Sequence, residues 1–145
     1  MNKKLLITSF VYAIIGMLSG AFYREFTKFY DYSGETVLSV THTHLIVLGT
    51  FLFLILFLYE NQFKISSEKM FRKFYLVYNL GLGLKIVTMY VRGITEITGV
   101  EVSSALNGAI SGISGVSHMI LAVSLIMLYV ALKRVIFDRK ISLDL

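Results

Sequence analysis

Thr41-His42-Thr43-His44-Leu45-Ile46-Val47-Leu48-Gly49-Thr50, followed by Phe51-Leu52-Phe53-Leu54-Ile55-Leu56-Phe57-Leu58-Tyr59, is the stretch that decides the fold. From Phe51 onward it is apolar on every face, as lipid contact or deep burial requires. Extended back to Val37, it exceeds the ~20 residues that cross a hydrocarbon core of ~30 Å. Two of the chain's three histidines stand at its start. Ionisable groups are expensive inside a membrane and mark functional sites there.

Three further apolar runs flank this one. Together the readings predict four membrane spans, at approximately 4–24, 37–59, 71–92 and 103–134, in a single all-α bundle. The whole chain has 145 residues, 56% hydrophobic, with a mean hydropathy of +0.73. That apolar share exceeds the ~45–50% usual for soluble domains, even though the usual figure counts glycine. Cysteine is absent, so disulfides, iron–sulfur ligation and a thiolate nucleophile are excluded. Proline is absent too, so no ring clash interrupts a helix. The net charge of +5 sits at the ends of apolar runs and forms no basic face on a soluble domain. Nucleic acid is therefore not an expected partner.

The first run follows Lys3 and Lys4. Ser9, Tyr12, Gly16, Gly20 and Tyr23 share one of its faces, and Gly16-xxx-Gly20 lets another helix approach closely. A competing reading is a secretory signal peptide with Ser19-Gly20-Ala21 at its cleavage point. Residues 23–36 read as a polar connector with an interfacial aromatic cluster. After the second run, Ser66 and Ser67 are available to cap the third. The third run carries Tyr78, Gly81, Lys85, Thr88 and Arg92 at three- and four-residue spacing, which makes one polar face. Lys85 either snorkels to the interface or points inward at an anion. Residues 93–112 are too polar for lipid and read as a loop with a helical lead-in from about Ser103. The fourth run ends at Lys133 and Arg134, with Arg139 and Lys140 in the tail.

Positive residues number ten on the side of the termini and the second loop, against three on the other side. This predicts cytoplasmic termini and a multi-pass protein of the bacterial cytoplasmic membrane. His42, His44 and His118 then fall at matched depth in the outer half, with Arg24, Lys85 and Arg92 on the same side. His42 and His44 lie ~200° apart around a regular helix. His42 shares a face with Gly49, and His44 faces another helix or another subunit. On the fourth run, Ser111, Ser114, Gly115, His118 and Ala122 leave room for a flat, bulky ligand.

Two imidazoles at one depth on two helices can fill both axial positions of a haem iron. Arg24, Lys85 and Arg92 would meet the propionates. The expected site is thus His118 with His44 or His42, the three cations, and Gly49 and Gly115, holding haem b for electron transfer or gas sensing. No nucleophile–base pair points to catalysis. Other readings are a small transporter or channel lined by His42, His44, His118 and Lys85, a zinc or copper site of three imidazoles, and a purely structural subunit.

The stretch 41–49 resembles the second-helix motif of the catalytic subunits of haem–copper oxidases and nitric-oxide reductases. In those enzymes a histidine-x-histidine-leucine stretch with a following glycine supplies a low-spin haem ligand. The whole chain is similar to an uncharacterised family of small bacterial four-helix membrane proteins. The larger subunits consist of three pseudo-repeated groups of four helices. The resemblance therefore implies a homo-oligomer, a trimer, with haem within or between protomers. It favours His44 by its leucine–glycine context. With only His118 left after the pair, an oxygen-reducing binuclear centre is not implied within one chain.

Overall fold

The protein, described by a computed structural model over residues 1–138, is built from four long antiparallel helical runs. These are α1 (Asn2–Phe29), α2 (Val37–Phe63), α3 (Lys69–Thr98) and α4 (Ser104–Lys133). A short π turn, Arg134–Asp138, closes α4. Arg139 and Lys140 of the basic tail lie outside the described residues. All four runs are long and apolar enough to cross a membrane. Large apolar side chains such as Phe10, Met17, Leu76, Met119 and Ile126 are exposed on the outside, a surface suited to lipid and not to water.

The α1–α2 contact follows from small residues. Ser9, Gly16 and Ser19 are buried, and Ile46 of α2 lies so close to Gly16 that an added Cβ would come within 2.8 Å of it. Ser9 donates to Thr50 O at 2.9 Å. Gly49 is packed under the ring of Tyr12, with no room for a Cβ. The small-xxx-small face read from the sequence is therefore the face that meets α2.

The helical run α2 changes pitch along its length. It starts as a 3-10 turn (Val37–Val40), passes through one α turn (Thr41–His44) and a π stretch (Leu45–Phe51), then continues as α-helix from Leu52. π stretches misplace carbonyls that must find other donors. Here the Tyr78 hydroxyl donates to Leu48 O at 2.9 Å, and Ser9 serves Thr50 O. The 3-10 start is fixed to α3. Val37 N donates to Glu96 Oε2 at 3.0 Å, and Leu38 packs on Gly93, where a Cβ would sit 2.6 Å from Leu38 Cβ.

The core draws on all four helices, with Leu5 of α1, Phe53 and Leu56 of α2, Phe74 and Leu82 of α3, and Leu121 and Leu128 of α4 in one cluster. Phe53 stacks on Tyr12 and meets Tyr75 and Tyr78 edge-on. Glu60, buried at the end of α2, accepts from the backbone and hydroxyl of Ser66. Ser66 is thereby drawn to Glu60. The residue that precedes α3 is Glu68, without a side-chain cap, so the expected Ser66 cap does not form.

Helix α4 packs along α3 and meets the other helices only marginally. Its buried residues Ile110, Ser117, Leu121, Ser124, Leu128 and Ala131 make one stripe at three-, four- and seven-residue intervals. The rest of its circumference is open.

Three helix ends differ from the sequence reading, and the first of them is α2, which was expected to end at Tyr59 and runs on to Phe63. Residues 93–98, expected in a loop, continue α3 to Gly99, whose φ of 65° ends the helix. Residues 23–29, expected in a connector, continue α1. In these two segments, hydroxyls that looked loop-like bond their own helix: Thr27 to Tyr23 O, Thr95 to Arg92 O and Thr98 to Ile94 O. The expected start near Ser103 holds, with Ser103 Oγ accepting from Leu106 N at 3.3 Å.

Candidate functional site

The two histidines of α2 face different neighbours. His42 turns to α1, where a Cβ on Gly20 would lie 3.6 Å from its Cγ. Its Nδ1 is buried without a hydrogen-bond partner, and Nε2 lies 3.4 Å from Thr43 Oγ1. His44 turns towards α3 and α4. Its Nδ1 lies 2.9 Å from Val40 O. A carbonyl only accepts, so this nitrogen carries the proton, and Nε2 of the neutral ring keeps its lone pair.

His118 shows the same local arrangement, with Nδ1 donating to Ser114 O at 3.0 Å. It is exposed, on the open side of α4, whereas neighbouring Ser117 is fully buried against α3. An added Cβ at Gly108, Gly112 or Gly115 would meet nothing within 4 Å, so this stretch of α4 presents bare backbone to its surroundings.

Between these elements lies a cavity of about 250 Å³, lined by Val37, Val40, His44, Lys85, Thr88, Met89, Arg92 and Ser114. Lys85 points inward: its Nζ donates to Ser114 Oγ at 3.0 Å. Arg92, two turns further along α3, donates through Nη2 to Asn107 Oδ1 at 3.0 Å and Ser111 Oγ at 2.8 Å. Both cations are partly buried, and neither forms an ion pair among the described residues. Ser114 joins the cavity to His118, since its side chain holds Lys85 and its carbonyl holds the His118 ring.

The structure thus brings His44, Lys85 and Arg92 to one cavity, with His118 one turn beyond its Ser114 wall. Arg24 stands apart, exposed and paired with Glu25 at 3.5 Å. His42 and Gly49 belong to the α1–α2 contact. Among the described residues no three His, Asp or Glu side chains converge within one chain.

The sequence reading missed a second polar group between α1 and α3. Tyr12 donates to Asn79 Oδ1 at 2.8 Å, Asn79 Nδ2 donates to Tyr75 O at 2.6 Å, and the hydroxyls of Thr8 and Tyr75 are 2.7 Å apart. An asparagine in the middle of an apolar run was the available signal.

Four helices long and apolar enough to cross a membrane, with an apolar exterior, are consistent with a multi-pass membrane protein that is helical throughout its described residues apart from its connectors. The family model DUF2871, described as a protein of unknown function, matches residues 1–135, and the chain belongs to that family. No curated protein and no solved structure matches the chain. No comparison links it to the haem–copper oxidase subunits that residues 41–49 resemble.

Proposed function

We propose that the protein is a multi-pass protein of the bacterial cytoplasmic membrane, with cytoplasmic termini, that binds haem b through His44 and His118 for electron transfer. One observation carries this reading. Both rings donate Nδ1–H to the carbonyl four residues back, at 2.9 Å and 3.0 Å. That tie fixes ring orientation and tautomer and leaves Nε2 free, which is the usual state of a metal-ligating imidazole. His42 lacks the tie, so His44 is favoured within the pair.

The residues present fit the group. Lys85 and Arg92 supply cationic donors for carboxylates. The cavity is smaller than the ~300–1,000 Å³ typical of cofactor pockets. It suits a carboxylate end, while the bare backbone at Gly108, Gly112 and Gly115 leaves space for a flat ring. The open face of α4, with an exposed imidazole at its middle, needs a protein neighbour in lipid. A homo-oligomer supplies one, and the resemblance of residues 41–49 favours a trimer. When bound, the haem would supply a one-electron couple; two imidazoles from the chain would keep the iron closed to other ligands.

Titration of the purified protein with haem tests the reading. A saturable Soret band is expected, with His44→Ala and His118→Ala each converting a low-spin spectrum to a high-spin one. Unchanged low-spin spectra in both variants would contradict the ligand assignment.

A further inference from the structure

Lys85 and Arg92 pose a charge problem independent of any histidine. An ion taken out of water costs several kcal/mol unless it is compensated. Lys85 has one neutral partner, the Ser114 hydroxyl, and two donors left over. Arg92 uses Nη2 alone, on an amide oxygen and a hydroxyl, which leaves Nε and Nη1 open. Neither meets a carboxylate among the described residues. Glu96, one turn along α3, spends Oε2 on Val37 N and lines the neighbouring cleft with Glu35. Glu25 is taken by Arg24. Two positive side chains therefore border one small cavity with nothing negative in it.

From this geometry we infer that the cavity between residues 37–44 of α2, Lys85 and Arg92 of α3, and Ser114 of α4 is a binding site for a carboxylate or a similarly small monovalent oxyanion. With Nη2 spent, the guanidinium offers Nε and Nη1 as single donors on different edges, so it meets an oxyanion with one N–H and a charge that cannot be lost. The ammonium, held in place by Ser114, adds a point charge from the other side. The volume of about 250 Å³ equals roughly eight waters at liquid density, enough for a small oxyanion with part of its hydration. Val37, Val40 and Met89 supply an apolar wall that strengthens the attraction by excluding water.

The inference rests on the proposed haem reading only for one of its two possible sources. The anion is either a haem carboxylate or a free carboxylate from water, and the cavity chemistry is the same for both. Because its charge comes from Lys85 and Arg92, with His44 only part of its lining, it stands in haem-free protein.

The test is calorimetric titration of haem-free, detergent-purified protein with sodium formate, at ionic strength held constant with sodium chloride. Saturable binding is expected, weakened about tenfold or more in Lys85→Met and in Arg92→Gln, each of which removes a charged hydrogen-bonding group. Lys85→Arg should retain binding. Should either charge-removing variant lose its helical circular dichroism, Ser114→Ala decides, with an expected loss of about threefold. No saturation in the parent protein, or equal binding in parent and folded variants, overturns the inference. Repeating the titration with haem-loaded protein separates the sources: formate excluded by haem, but not by haem dimethyl ester, identifies the haem carboxylate, and formate binding undiminished by haem identifies a free anion. A protein that never takes up haem would refute the haem reading and leave the formate result intact.

Discussion

His42 and His44 stand two residues apart and do different work because a helix turns them to opposite sides. The ~200° separation was legible from spacing alone. Which side each would face was not, since that depends on where α1 and α3 pack. His42 fills the space left by Gly20, so His42→Ala is expected to leave a haem spectrum unchanged. Loss of the Soret band in that variant would reverse the assignment of His44. Gly49, the glycine that follows the histidine pair in the resembled motif, is a seat for the Tyr12 ring. Gly49→Ala should therefore lower stability by about 1–3 kcal/mol through overpacking, read as a lower thermal midpoint in detergent. An unchanged midpoint would mean that Tyr12 moves aside freely. Arg24 reads like Lys85 and Arg92 in the sequence, all three being cations near one end of a run. Only packing separates the exposed one from the two that reach the cavity.

At the level of the element, α2 is the informative helix. Its shift from 3-10 through α to π leaves Leu48 O to be served by Tyr78. Tyr78→Phe should cost about 1 kcal/mol for the lost hydrogen bond and speed amide hydrogen exchange across residues 45–52. Protection equal to the parent would show that the π stretch holds without α3. Nothing in residues 45–51 announces that pitch, because the sequence is ordinary apolar helix; the groups that serve its carbonyls, Ser9 and Tyr78, lie on other helices. The misplaced ends of α1 and α3 have a different origin. Polarity in residues 93–98 was read as solvation, yet Thr95 and Thr98 satisfy their hydroxyls on their own helix, and Glu96 anchors the start of α2. Single residues cannot reveal such partners. The spans themselves were plain from the sequence, as were the α1 small-residue face and the polar face of α3, since both periodicities survive in the packing.

For the molecule as a whole, the asymmetry lies in α4, which leans mainly on α3 and leaves Gly108, Gly112, Gly115 and His118 uncovered. If a second copy covers that face, a bulky replacement such as Gly112→Leu should shift the oligomer towards smaller species in detergent, measured by light scattering with detergent subtraction. A parent protein that is monomeric at all concentrations would contradict the proposed oligomer. The proposed orientation is tested by cysteine accessibility, since the chain has none of its own: a cysteine at position 2 should be shielded in intact cells, and one at position 34 should react. The central claim, haem on His44 and His118, is tested most directly by the visible spectrum of the protein purified from haem-replete cells, oxidised and then reduced with dithionite. The expected result is a Soret band with sharp α and β bands on reduction that carbon monoxide does not shift. A protein with no Soret band, even after haem is added, would contradict it.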